Sequence, residues 1–157
     1  MVKINSNSRL PSIKTKVILT QTDTTVGFVS QNHTKLSLIK ERDSSKPFIK
    51  VYKNFKALSN DKIRIPNSQK KYIRRAKRKT FILKNLAFRV AEDRLSSSIL
   101  RLSSWNYSTS ANESGKNFDR DFCEEKTDII IEDKYSLFEG ESSSLIKINS
   151  KKRKRLR

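Results

Sequence analysis

One cysteine, Cys123, and one histidine, His33, are all that 157 residues offer of the two side chains most used for disulfides and zinc. A disulfide framework and a Cys/His zinc cluster are both excluded within one chain, and a reducing compartment is expected. Long apolar runs are equally scarce. Nowhere do about 18 apolar residues follow one another, as a membrane-spanning helix requires. The opening MVKINSNSRLPSIKTK also lacks the apolar stretch of a secretory signal. The expectation is a cytoplasmic protein with no membrane partner. Hydrophobic residues, at 34%, fall below the globular norm. They nevertheless gather at residues 17–19, 81–83 and 129–131, which argues for a folded core. The length suits one compact domain.

Negative charge is the other shortage. Thirty-five Lys and Arg stand against sixteen Asp and Glu, a formal charge of +19. Such a field attracts polyanions, RNA foremost; a Lys-rich composition that merely solvates the surface is the plainer reading. The cations are unevenly placed. Residues 62–79 hold nine and no acid, the chain ends KKRKRLR, and residues 119–141 reverse the balance with nine acids against three bases. The basic end reads as a disordered, nonspecific phosphate contact.

Apolar patterning predicts strands at residues 16–19, 48–52, 80–83, 86–90, 105–108, 128–131 and 145–148. Lys84 and Asn85 form the turn between the third and fourth of these. Helices are predicted over residues 34–42, 55–58, 69–79 and 91–102, the last with Leu95, Ile99 and Leu102 on one face. Strands mixed with short helices point to an α/β or α+β fold.

Three polar clusters fall at the ends of these elements, where side chains and free backbone N–H groups converge on ligands. In Thr20-Gln-Thr-Asp-Thr-Thr-Val-Gly-Phe28 the hydroxyls of Thr22 and Thr24 alternate and face one side, as a small polar ligand would need. Lys40-Glu-Arg42, followed by Lys46-Pro47, places a mobile point charge and a planar fork together near a helix end. The third cluster, Ser108-Thr-Ser-Ala-Asn-Glu-Ser-Gly115, follows an apolar strand. Its small residues let the chain approach a ligand closely and aim successive N–H groups at a phosphate. Thr-rich strand ends and charged helix ends are common alone; the third cluster is the most specific.

Together, and in this order, the clusters resemble the YrdC-like threonylcarbamoyl-AMP synthase family, whose patterns read P-T-D/E-T-x-Y/F-G, K-x-R with a following K-P, and S-T-S-A-N-x-S-G. Leu86-Ala-Phe-Arg-Val90 resembles the family's V-A-V-R-V strand, and Ser143-Ser-Leu-Ile146 its S-T-I-V segment. The resemblance covers roughly residues 15–157. It implies a single YrdC-like α/β domain over residues 16–148, a twisted mixed sheet flanked by helices, between a polar segment 1–15 and a basic tail 149–157.

It also implies a nucleotidyltransferase that joins L-threonine, bicarbonate and ATP into threonylcarbamoyl-AMP for tRNA modification. Magnesium would ride on the phosphates, and the product would pass to a downstream threonylcarbamoyl transferase. By position, Thr22 and Thr24 would hold threonine, and Lys40 and Arg42 the phosphate and carbamate oxygens. Ser110 and Asn112 would complete the phosphate site, with Arg89, Ser144 and Arg155 nearby. The family is associated with double-stranded RNA, so tRNA or an RNA duplex is the expected macromolecular partner.

The chain departs from the family pattern at several points. Gln21 replaces a Pro, Val26 stands where an aromatic is common, and no His follows Lys46-Pro47. The family's P-G-P-L-T segment, part of the substrate cavity wall, appears as Ala76-Lys-Arg-Lys-Thr80. A basic segment there could contact RNA phosphates. The alternative expectation is thus a YrdC-like RNA-binding protein with weakened catalysis.

Overall fold

The computed structural model describes residues 13–41, 47–91, 103–132 and 135–157. After a short 3-10 turn at Ile13–Thr15, these residues form nine strands: β1 Ile18–Gln21, β2 Val26–Ser30, β3 Ile49–Tyr52, β4 Lys79–Leu83, β5 Leu86–Val90, β6 Trp105–Ser110, β7 Ile129–Ile131, β8 Ser144–Ile148 and β9 Arg153–Arg155. Four α-helices accompany them: α1 His33–Ile39, α2 Phe55–Asn60, α3 Asn67–Arg74 and α4 Arg120–Glu125. The predicted helix over residues 91–102 lies outside the described residues, apart from Ala91.

All nine strands join one mixed sheet in the order β7-β1-β2-β6-β3-β5-β4-β8-β9. The β7/β1, β3/β5 and β4/β8 pairs are parallel and the remainder antiparallel. The expected α/β fold, a mixed sheet with helices on it, is the fold observed. Two apolar clusters hold it together. Leu36 of α1 and Cys123 of α4 pack with Val17, Leu19, Val26 and Phe28. Leu58 of α2 and Ile73 of α3 pack with Tyr52, Phe81, Phe88 and Ile146.

The helices begin where side chains can take up their free N–H groups. Asn32 accepts from Lys35 N at 3.0 Å, Asn54 from Ala57 N at 2.8 Å and Asp119 from Phe122 N at 3.0 Å. Helix α3 follows Pro66, whose fixed φ of −58° suits a helix entry. Its last turn carries Lys71 and Arg74, which complement the dipole.

Helix α3 stops at Arg74 instead of continuing to Lys79. Arg78 takes a φ of +49°, and the chain turns into β4, where Thr80 lies opposite Leu145 of β8. Strand pairing outweighs the helix propensity of this basic run. Strand β2 and helix α4 were not expected either. Gly27 reads as a break in a strand pattern, yet a Cβ there would lie 2.9 Å from the Thr109 carbonyl oxygen of β6, so close strand approach requires the glycine. Beyond the strand predicted over residues 16–19, residues 20–25 supply the end of β1 and a tight turn into β2. The strand predicted over residues 105–108 runs two residues further, to Ser110.

The basic end is also part of the sheet. Strand β9 pairs antiparallel with β8, Ile148 opposite Arg153 and Ile146 opposite Arg155. Leu156 N donates to Leu145 O at 2.7 Å and Leu145 N to Arg157 O at 3.1 Å, carrying the ladder to the final residue. A disordered tail is thereby corrected. Among the described residues, no helix is long and apolar enough to cross a membrane.

Candidate functional site

The sheet brings the ends of β1, β2, β5 and β6 and the segment before β8 around one cavity of about 480 Å³. Thr22, Thr24, Lys40, Arg89, Ser110 and Asn112 all line it, although they span ninety positions of sequence. Their convergence follows from topology. β2 lies beside β6, which presents Ser110 next to the Thr22–Thr25 turn, and α1 leads from the far end of β2 back to Lys40.

Lys40 closes α1 and is buried at 7% exposure. Its ammonium donates to Ser110 O at 3.2 Å, to Asn112 Oδ1 at 2.7 Å and also to Asn112 O. Ser110 Oγ donates to the same Asn112 Oδ1 at 2.7 Å. Lys40 therefore fastens the Ser-Thr-Ser-Ala-Asn loop to α1 while keeping a positive charge at the cavity wall. Further along this loop, the amides of Glu113, Ser114 and Gly115 have no acceptor among the described residues, and Gly115 takes a φ of +80°. Successive free N–H groups beside a lysine make a concavity suited to an anion.

On the opposite wall, the Thr22 and Thr24 hydroxyls meet at 3.2 Å, brought together by a tight turn and not by strand alternation. Thr22 Oγ1 donates to Thr25 O at 2.6 Å and accepts from the amides of Thr24 and Thr25, so it shapes the turn. Thr24 Oγ1 accepts from Arg89 Nη1 at 3.1 Å. Arg89, at 4% exposure, pairs through the same nitrogen with Asp23 Oδ1 at 3.1 Å. Burial pulls the guanidinium below its ordinary pKa and Asp23 opposes that shift. Asp23 Oδ2 and Arg89 Nε, both buried, have no hydrogen-bond partner among the described residues. A buried ion pair short of two hydrogen bonds is costly, and such costs concentrate at functional sites.

Two expected residues are displaced. Ser144 sits in β8 opposite Lys79 and is not in the cavity lining; its neighbour Ser143 is. Thr80, fully buried, meets Ser143 Oγ through its own hydroxyl at 2.7 Å, fixing the serine against β4. Arg155 turns its Nε to Arg157 O at 3.1 Å, and Arg157 reaches the cavity instead, donating to Ser143 O at 3.2 Å. Arg42 and Lys46 lie outside the described residues. Asp23, to which the sequence pattern assigns no role of its own, is the partner of Arg89.

Gln21, where the family pattern has Pro, accepts from Phe138 N at 3.0 Å, and Gly140 N donates to Thr25 Oγ1 at 3.0 Å. The segment around Phe138 and Gly140 thus lies against the threonine turn. A Cβ on Gly140 would stand 2.2 Å from Thr24 O, so only glycine permits that approach.

No family model and no curated protein matches this sequence. Solved structures do. P. abyssi Sua5 complexed with L-threonine superposes with a TM-score of 0.75 at 20% identity, over 90% of this chain and 50% of that one. E. coli YciO gives 0.72 at 17% identity, over 92% and 83%. Full-length HypF in a phosphate- and nucleotide-bound form gives 0.72 at 14% identity, over 90% and 22%. The protein has the YrdC/Sua5 fold. It spans about half the length of the Sua5 chain it matches.

Proposed function

We propose that this protein is a threonylcarbamoyl-AMP synthase, binding ATP, L-threonine and bicarbonate in the cavity between Lys40 and Arg89. The observation that carries this reading is the convergence of Lys40, Arg89 and Arg157 with the Ser110–Gly115 loop in a single cavity. One wall offers a lysine and free amides for phosphates. The other offers hydroxyls and a buried Arg–Asp pair of the right size and polarity for an amino acid. Solved proteins of this fold carry L-threonine in one case and phosphate and nucleotide in another.

Threonine's amine and bicarbonate condense to an N-carboxylate with loss of water. A carboxylate oxygen then bonds to the α-phosphorus of ATP as the bond to the β-phosphate oxygen breaks and pyrophosphate leaves. Charge grows on the non-bridging phosphate oxygens. Fixed N–H donors and cations stabilise it without a side-chain nucleophile. Lys40, with Arg42 beside it in sequence, serves the phosphate and carbamate oxygens. Ser110, Asn112 and the loop amides complete that half, and Arg89 and Thr24 orient threonine. The described residues contain no group of three His, Cys, Asp or Glu able to hold a metal. Among the described residues, the side-chain carboxylates lining or bordering the cavity are Glu41 and the Arg89-paired Asp23. These donors do not make a resident magnesium site, so magnesium enters as part of the ATP substrate. The product is a reactive mixed anhydride that a tRNA-directed transferase would consume.

A second reading, an RNA-binding protein of this fold with weakened synthesis, is favoured by the basic Ala76-Lys-Arg-Lys-Thr80 standing in place of the family's Pro-Gly-Pro-Leu-Thr segment. Incubation with ATP, threonine and bicarbonate separates the two. Threonine-dependent pyrophosphate release supports synthesis, and its absence in a protein that still binds RNA supports the second reading.

A further inference from the structure

Two acid-free stretches that are far apart in sequence lie side by side in the fold. Residues 62–79 carry nine cations and residues 147–157 carry seven. Helix α3 is tied to β9 and the turn before it. Ser68 Oγ donates to Ser150 O at 2.8 Å, Gln69 Nε2 to Asn149 O at 2.9 Å and Arg153 Nε to Gln69 Oε1 at 2.6 Å. The Arg153 guanidinium also lies 4.2 Å from the centre of the Tyr72 ring. The result is one continuous cationic face.

Strand β9 is the edge of the sheet among the described residues, with every side chain exposed. Arg153, Arg155 and Arg157 occupy alternate positions of an extended chain and so share one side, with steps of about 6.8 Å. The first is fixed on α3 and the last on Ser143 at the cavity mouth. Cations on an edge strand also discourage edge-to-edge pairing. One or two suffice for that, and the deterrent needs neither the anchoring of two arginines nor a matching helix. Among the described residues, Lys71, Arg74, Arg75, Lys152 and Lys154 have no carboxylate partner.

We propose that the α3–β9 face binds RNA through its phosphodiester backbone, the backbone running along the arginine row of β9 toward the cavity mouth. The inference rests on the RNA-binding reading above and gives it a place on the fold, separate from the Lys40 wall. RNA suits this face better than a membrane surface. The apolar side of α3 is already spent on the core through Ile73, which leaves no stripe to enter a bilayer. A row of guanidiniums spaced along a strand suits a row of phosphates.

The test is fluorescence anisotropy with a labelled RNA duplex of about 20 base pairs across roughly 50 to 300 mM KCl, since the slope of log K against log salt counts phosphate contacts. The full chain is compared with Lys71→Ala/Arg75→Ala/Arg155→Ala and with Lys35→Ala/Lys53→Ala/Lys126→Ala, which removes equal charge elsewhere. The face variant is expected to lose about tenfold in affinity near 150 mM salt and about 2 units of slope. The control should lose less than about threefold. Equal losses in the two variants, with melting unchanged, would assign binding to diffuse charge and overturn the inference. No RNA binding by the unaltered protein would instead overturn the RNA reading itself. Phosphatidylserine vesicles bound in preference to RNA, with the same ranking of variants, would overturn both in favour of a lipid surface. Lys40→Ala, which acts on the cavity, should leave RNA binding intact.

Discussion

The Lys40 ammonium stands 2.7 Å from the carboxamide oxygen of Asn112, seventy-two positions further along the chain. That contact joins the end of α1 to the loop after β6, and it makes one phosphate-binding wall out of two distant motifs. Lys40→Met keeps the apolar stem and deletes the charge, leaving Ser110 O and both Asn112 oxygens without their donor. Each hydrogen bond to a charged group contributes about 1.5–3 kcal/mol, so a loss of about 2 kcal/mol in urea unfolding is expected, with loss of ATP binding by calorimetry. Lys40→Arg should not restore ATP binding, because a planar fork cannot reproduce the three-way contact of the ammonium.

Gly140→Ala tests the threonine wall. The added methyl collides with the Thr24 carbonyl, and overpacking of this kind costs about 1–3 kcal/mol. Threonine affinity should fall while ATP affinity is retained, which titration calorimetry with each ligand reads separately.

The Arg89–Asp23 pair supports a double-mutant cycle. Asp23→Ala strands a buried guanidinium and should destabilise by about 3–5 kcal/mol. Asp23→Ala/Arg89→Met removes both charges and should recover most of that loss in chemical denaturation. Additive effects would mean that the two side chains act independently.

Cys123 offers a pH-dependent readout. Burial pushes its thiol up to about 11, against a hydrogen bond from the Asp119 backbone that acts in the other direction. The unfolded thiol releases its proton first, near about pH 8.5, so the unfolded state binds fewer protons between there and 11. Stability present below that window is lost as pH rises through it. Melting temperature should fall across this range, less steeply in Cys123→Ala, and a thiol reagent near about pH 8 should label only the unfolded protein.

Much of the candidate site was legible in the sequence because its parts are contiguous. Thr22 and Thr24, Lys40, and Ser110 with Asn112 each sit in a short polar run at an element end, and all line the cavity. The β4–β5 hairpin was equally plain, with Lys84 and Asn85 between two apolar runs. Other features depend on register. A shift of one residue in a strand turns side chains to the other face, which is why Ser143 and not Ser144 faces the cavity. Arg157 replaces Arg155 because it lies one strand repeat further along the same side. Strand β9 was hidden because its pairing is made by the backbone, to which three cations in a row give no clue. Helix α4 has little apolar content beyond Phe122 and Cys123, and its clearest signal was the capping residue Asp119.

The most direct measurement is pyrophosphate release from ATP by the purified chain, with threonine and bicarbonate each added or withheld. Release that requires both, and that disappears in Lys40→Ala, is the predicted result. Release independent of threonine, or none in a protein shown to be folded, would contradict the assignment of the cavity to threonylcarbamoyl-AMP synthesis.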